Sequence, residues 1–338
     1  MPLVKPAGYR NLLDNVENTE KAIKLVKDMF QQNLSAQLAL LRVTAPMVVL
    51  SGTGINDDLN SVERPVSFPI RDMGERRAEV VHSLAKWKRL ALHHYQFSVG
   101  EGLYTDMNAI RRDEEPDNLH SVYVDQWDWE KVLAPRDRNE DYLKETVRTI
   151  VECICQTQAT LRAMFPQLLS LPLVERQVTF VTAQELEDRW PDLSAKERED
   201  AWVKDHPTTF LMGIGGALKS GRPHDGRAPD YDDWALNGDI LVWNPVLERA
   251  FELSSMGIRV SPESLDRQLT LAGCDDRRSL PFHRMLLSGE LPLTIGGGIG
   301  QSRLCMLLLG KAHIGEVQAS VWDPETLGAC QEAGVVLL

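Results

Sequence analysis

The chain has 338 residues, room for one large domain or two small ones at a prior of roughly 150 residues per domain. Hydrophobic residues make up 43% and charged residues 25%, the balance of a folded globular protein, which excludes a disordered or coiled-coil chain. Lys plus Arg number 37 against 49 Asp plus Glu, a formal net charge of −12, so bulk attraction to nucleic acid or an anionic membrane is excluded as well.

In chain order, Ile23, Val26, Phe30 and Leu34 predict a helix over residues 19–38, capped by Asn18 or Thr19. A strand-like run, 40–45, stops at Pro46, and residues 51–58 are too polar and glycine-rich for a core element. Residues 78–84 read as a strand entering a helix over 83–95. Two strands, 102–111 and 119–129, flank the polar turn 112–118; period-two alternation in the second puts Val122, Val124, Gln126 and Asp128 on one face. Leu143, Val147, Ile150, Ile154 and Leu161 predict a long amphipathic helix over 140–165. Strands follow at 177–181, 208–214, 239–243 and 251–258, then a glycine-rich entry at Ile295 into a helix over 301–309. Hairpin-like neighbours mixed with long helices predict an α/β (α+β) fold, a mainly antiparallel sheet flanked by helices.

No apolar run approaches the roughly 18 residues that span a bilayer, and the first residues carry no stretch of signal-peptide length. Five cysteines without metal-ligand spacing read as reduced, structural thiols, so a cytoplasmic protein is expected.

Four constellations carry candidate chemistry. The run from Gly296 to Arg303 fits Gly-x-Gly-x-Gly-x-x-Arg, either a flexible strand-to-helix turn or a backbone that lets a nucleotide come close, with Arg303 opening the helix. Arg111-Arg112-Asp113-Glu114 closes a strand, either as a solvated hairpin tip or as an arginine placed where a phosphoryl group gathers charge. Asp239 and Glu252 sit on successive strands with Ser254 and Ser255 nearby, an ion-pair partnership or a set of hard oxygen ligands for Mg²⁺. The acidic run Asp230-Tyr231-Asp232-Asp233 is solvated surface or a site for an amino group. His82, His93, His94 and His120 show no metal spacing and are assigned packing or capping duties; Trp87, Trp127, Trp129 and Trp243 are assigned to the core.

A helix and strand ending at Pro46, the strand end Arg111-x-x-Glu114 and the Gly296–Arg303 signature occur in the order of motifs 1, 2 and 3 of class II aminoacyl-tRNA synthetases. The stretch Asp239…Glu252-Leu253-Ser254-Ser255-Met256-Gly257-Ile258-Arg259 resembles the metal-binding segment of their aspartate and asparagine subgroup. More specifically, Val80-Val81-His82-Ser83-Leu84-Ala85-Lys86-Trp87-Lys88, His120-Ser121-Val122-Tyr123-Val124-Asp125-Gln126-Trp127-Asp128-Trp129-Glu130 and Arg227-Ala228-Pro229-Asp230-Tyr231-Asp232-Asp233-Trp234 resemble the ammonia-dependent asparagine synthetase family. The resemblance runs from about Ala22 to Trp322; residues up to Leu12 form an extension, the stretch between Trp234 and Asn237 is shortened, and the end after Trp322 matches poorly.

The resemblance implies one catalytic domain over residues 1–338, a homodimer through motif 1, and formation of L-asparagine from L-aspartate, ATP and ammonia through β-aspartyl-AMP, with Mg²⁺ as cofactor. It places Arg111 on the α-phosphate and Arg303 on the nucleotide, with Ser121, Asp239, Ser254 and Gly298 as further nucleotide contacts. Mg²⁺ falls to Asp239, Glu252 and Ser255. Lys88 and Gln126 are candidates for the aspartate carboxylates, Asp128 and Asp232 for its α-ammonium, with Ser83 and Ser255 beside them, and Asp57 is the candidate for holding ammonium and accepting its proton. A tRNA-charging enzyme would carry an anticodon-binding domain, for which the motifs leave no room, so neither nucleic acid nor membrane is an expected partner.

Overall fold

Asn15 starts the first helix. In this computed structural model, which describes residues 6, 8–56 and 63–338, its side chain accepts from the Asn18 amide, so α1 (Val16–Leu38) begins earlier than its apolar periodicity predicts. The predicted stripe Ile23, Val26, Phe30 and Leu34 is its buried face. Strand β1 (Leu40–Arg42) is shorter than expected and pairs in parallel with β5 (Gly102–Ile110). Between them β2 (Val48–Leu50), β3 (Ser67–Ile70) and β4 (Arg76–Val80) form a separate antiparallel sheet in the order β2-β4-β3, and α2 (Ala85–His94) follows it. Only β4 of that small sheet is legible in the sequence, because β2 and β3 are too short to show alternation.

The main sheet continues with β6 (Tyr123–Val132), then the long helix α3 (Glu140–Met164), β7 (Thr179–Thr182), α4 (Ala183–Arg189), α5 (Ala195–Asp205) and β8 (Thr208–Met212). Strands β9 (Asp232–Asn244) and β10 (Arg249–Arg259) make a long hairpin, followed by α6 (Pro262–Leu271), α7 (Pro281–Leu287), β11 (Thr294–Gly300), α8 (Gln301–Leu309) and α9 (Pro324–Ala333). The eight strands lie in the order β1-β5-β6-β11-β10-β9-β8-β7. Only the two edge pairs, β1 with β5 and β7 with β8, are parallel, so the expected mainly antiparallel sheet is present. Residues 234–237, where the resemblance shortens, run inside β9.

The sheet has two unlike faces. Trp127 and Trp129 of β6 join Phe210, Ile240, Phe251, Ile295 and Ile299 against α1, α3 and α8 in the main core, with Phe30 of α1 only 4.7 Å from Trp127 between ring centroids. Alternation sends Gln126, Asp128 and Glu130 to the opposite face, where α2 packs: Lys88 Nζ reaches Asp128, and Arg89 donates to Pro292 O at 2.9 Å and Val260 O at 2.7 Å. That polar face holds the site. No described helix is long and apolar enough to cross a membrane, and all five cysteines are free.

Candidate active site

Sheet register assembles the centre of the site. Asp128 of β6 lies opposite Gly298 of β11, Gly298 opposite Ser255 of β10, and Ser255 opposite Asp239 of β9, so four positions far apart in sequence form one lateral row. Glu252 joins them through a bulge. The register shift between Glu252 and Ser254 puts Glu252 on the same face as Ser255, whose hydroxyl lies 2.7 Å from Asp239 Oδ1 and 3.0 Å from Glu252 Oε1.

The same bulge turns Ser254 the other way. Its hydroxyl is buried outside the cavity with no hydrogen-bond partner, which corrects the expectation that Ser254 presents a side chain to a nucleotide.

The glycine run is not a flexible turn. It is β11 itself, a central strand, and its glycines are set by packing. A Cβ on Gly297 would lie 2.5 Å from Met256 Cβ, and one on Gly298 would lie 2.2 Å from Gln126 Oε1. Gly298 therefore makes room for a candidate substrate-binding amide. Because the blocking atom is the end of a movable side chain, Gly298→Ala is expected to fold with a melting temperature near wild type while losing about tenfold in kcat/KM for aspartate as Gln126 is displaced. Unchanged kinetics would show that the Gln126 position is immaterial.

Above this row opens a cavity of about 450 Å³, within the usual range for small-ligand sites. Of the residues the sequence singled out, Ser83, Arg111, Ser121, Gln126, Asp128, Asp232, Asp239, Glu252, Ser255, Gly298 and Arg303 line it. Lys88 does not. It is fully buried beneath the floor, paired with Asp128 and donating to Gly297 O at 3.2 Å, so it is corrected from a carboxylate ligand on the wall to a residue that holds Asp128. Burial pulls the Lys88 ammonium below the usual lysine value, with Asp128 opposing. Asp57 lies outside the described residues.

The sequence reading missed Arg227, Arg259, Lys196 and His120, all of which line the cavity. Arg259 binds Asp232 and approaches Glu130 at 3.4 Å; Arg227 reaches Asp239 at 2.6 Å and Asp232 at 3.9 Å. Both belong to runs quoted for the resemblance, but nothing in their spacing announces which carboxylates they meet across the sheet. Arg303 donates to Glu252 O at 3.0 Å and lies 3.6 Å from its carboxylate, and the nearest His120 nitrogen stands 2.9 Å away, so His120 is a site residue rather than a packing one.

These contacts join acids and bases alternately around the walls. Burial, reinforced by the nearby Glu252 charge, raises the Asp239 carboxyl against the pull of Arg227. Glu252 faces the same burial but is held low by Arg303, Lys196 and Arg227. One cation stands apart. Arg112 has Asp113 at 4.0 Å and Lys196 has Glu199 at 3.1 Å, whereas Arg111, among the described residues, makes no ion pair and buries its Nε without a hydrogen-bond partner. A guanidinium left this way in a polar cavity is prepared for an anion.

A family model described as aspartate–ammonia ligase matches residues 17–334. The aspartate–ammonia ligase of Clostridium tetani is 58% identical over 336 residues, spanning 99% of this chain and 98% of its own length. That of Lactobacillus johnsonii is 57% identical over 339 residues, spanning all of both chains. Among solved structures, asparaginyl-tRNA synthetase from Pyrococcus horikoshii, complexed with asparaginyl-adenylate, superposes with a TM-score of 0.67 at 16% identity, covering 92% of this chain and 73% of its own. The Entamoeba histolytica asparaginyl-tRNA synthetase gives 0.67 at 11% identity over 90% of this chain and 66% of its own. At such identities the likeness is one of fold, that of a class II synthetase catalytic domain. With a near full-length match at well over half identity, on a sheet whose polar face gathers the residues of motifs 2 and 3, the chain belongs to the aspartate–ammonia ligase family.

Proposed function

We propose that the chain, acting as a single catalytic domain, makes L-asparagine in two steps within this cavity. The side-chain carboxylate of L-aspartate attacks the α-phosphorus of ATP, forming β-aspartyl-AMP and releasing pyrophosphate; ammonia then displaces AMP. A carboxylate resists nucleophiles and an acyl phosphate does not, so activation must precede amide formation. The observation that carries the reading is Arg111, the one cation among the described cavity residues without an acidic partner, beside a row of fixed polar groups. It meets the approach of two anions, where a preorganised positive charge does most for the rate.

On this reading Gln126, Asp128, Asp232, Ser83 and Ser255 select aspartate, while Ser121, Gly298, Asp239 and Arg303 line the nucleotide. Asp239 and Glu252, bridged by the Ser255 hydroxyl, fit a hard cation that takes its other ligands from phosphate and water. Bound there, Mg²⁺ would supply charge neutralisation to the phosphates. Asp57 keeps its proposed role as acceptor of the ammonium proton. Asp57→Asn is then expected to spare aspartate-dependent exchange of pyrophosphate into ATP and to lose asparagine formation, and an equal loss of both would remove that division of labour.

The proposed homodimer through motif 1 is supported by apolar side chains left exposed around β1 and the small sheet: Leu41 at 61%, Met47 at 53% and Phe68 at 41%. Sedimentation at twice the 38.0 kDa chain mass would support it, and a monomer at micromolar concentration would refute it.

The product analysis tests the whole reading. Incubation with aspartate, ATP, Mg²⁺ and ammonium is expected to yield asparagine and AMP in equal amounts; ADP in place of AMP would sink it.

A further inference from the structure

The turn between β5 and β6 reaches across the cavity to the first turn of α8, and the contact between them has a direction that can be deduced. Arg303 Nη2 and His120 Nε2 lie 2.9 Å apart. A guanidinium offers only donors, so the imidazole nitrogen facing it must be an unprotonated acceptor. The single ring hydrogen then sits on Nδ1, where Asp117 Oδ1 accepts it at 2.8 Å. Asp117 is fixed in turn: the same oxygen accepts from the backbone amides of Leu119 at 2.7 Å and His120 at 2.8 Å. These bonds oppose burial and hold its carboxyl below the usual carboxylate range.

The other edge of the Arg303 guanidinium is held by β10, through the donation from Nη1 to Glu252 O at 3.0 Å, with the Phe251 ring 5.9 Å from Cζ. The guanidinium plane is thus defined by two elements, β10 on one edge and the 117–120 turn on the other. Without His120, the Nη2 edge has no described partner to stop it rotating.

We propose that His120 is a positioning residue for the nucleotide: relayed from Asp117, it locks the tautomer that accepts from Arg303 and so fixes the guanidinium that the ATP must meet. The proposal rests on the nucleotide role of Arg303 given above. His120 acts through Arg303 and touches no reacting atom, which sets it apart from a residue that contacts phosphate directly.

The test is a double-mutant cycle read by ATP binding in titration calorimetry and by steady-state kinetics. His120→Ala is expected to weaken ATP binding and raise its KM about tenfold, with kcat and the KM for aspartate nearly unchanged. His120→Gln, whose side-chain oxygen can replace Nε2 as acceptor, is expected to recover most of the affinity. In the Arg303→Ala background, His120→Ala is expected to add nothing. Unchanged ATP affinity in His120→Ala, a Gln variant no better than Ala, or effects that add in full to those of Arg303→Ala would each overturn the proposal. Should the Ala variant fail to fold, the Gln variant alone decides between rescue and loss. ATP binding needs no amide product, so a wild-type protein that binds ATP yet makes no asparagine would refute the proposed reaction and leave the His120 test standing.

Discussion

Arg111→Ala is expected to slow aspartate-dependent pyrophosphate exchange by about a hundred- to a thousandfold, the size of effect seen when one preorganised group that stabilises developing charge is removed. Arg227, Arg259 and Arg303 each have a carboxylate close by, so their charge is already offset by Asp239, Asp232 and Glu252. Arg111 has none among the described residues, and its Nε is buried without a hydrogen-bond partner. Its full charge is therefore available to an incoming phosphate. Because the free protein does not use that charge for an ion pair, removal should leave the melting temperature near wild type. Exchange at a wild-type rate would refute its placement on the reacting phosphate.

The largest effect on stability is expected from Asp230→Asn. Asp230 is fully buried, and three cationic or protonatable groups converge on its Oδ2: Lys86 Nζ at 3.1 Å, Arg277 Nη1 at 3.0 Å and His283 Nε2 at 2.9 Å. Burial alone would raise this carboxyl, but Lys86, His283 and Arg277 hold it well below the usual carboxylate range. Neutralising it strands buried positive charge on α2 and near α7, at a cost of about 3–5 kcal/mol. Asp230 also anchors the chain just before Tyr231 and Asp232, which line the cavity. The expected result is a fall in melting temperature of about 4–7 °C, with a loosened aspartate KM. A variant that melts with wild type would show that the cluster contributes nothing.

Much of the site was legible because its residues lie where period-two alternation is strong. Gln126 and Asp128 could be placed on one face from sequence, since Trp127 and Trp129, which alternate with them, had to be buried. Hairpin-like neighbours mixed with long helices carried the antiparallel sheet, and the order of the three motifs with the long matching runs carried the resemblance. What stayed hidden depends on register. Nothing local reveals that Asp128, Gly298, Ser255 and Asp239 would stand in one row, because the register that pairs them is set across four strands of the folded sheet.

The bulge beside Leu253 was hidden too. One unpaired residue exchanges Ser254 for Ser255 on the site face, and a sequence offering two adjacent serines cannot say which. Lys88 was misplaced for a related reason: helical spacing gives the side on which it leaves α2, but not that it meets Asp128 from beneath the cavity floor. His120 was overlooked because a histidine near a turn carries no spacing signal until Arg303 is seen opposite.

In the proposed reaction the aspartate side chain attacks the α-phosphorus. L-Aspartate labelled with oxygen-18 in its β-carboxylate, incubated with ATP, Mg²⁺ and ammonium and followed by phosphorus NMR, reads this out directly. When ammonia breaks the acyl phosphate, one labelled oxygen must leave with AMP, so label is expected in the AMP phosphate and none in pyrophosphate. Unlabelled AMP, or label recovered in inorganic phosphate beside ADP, would contradict it.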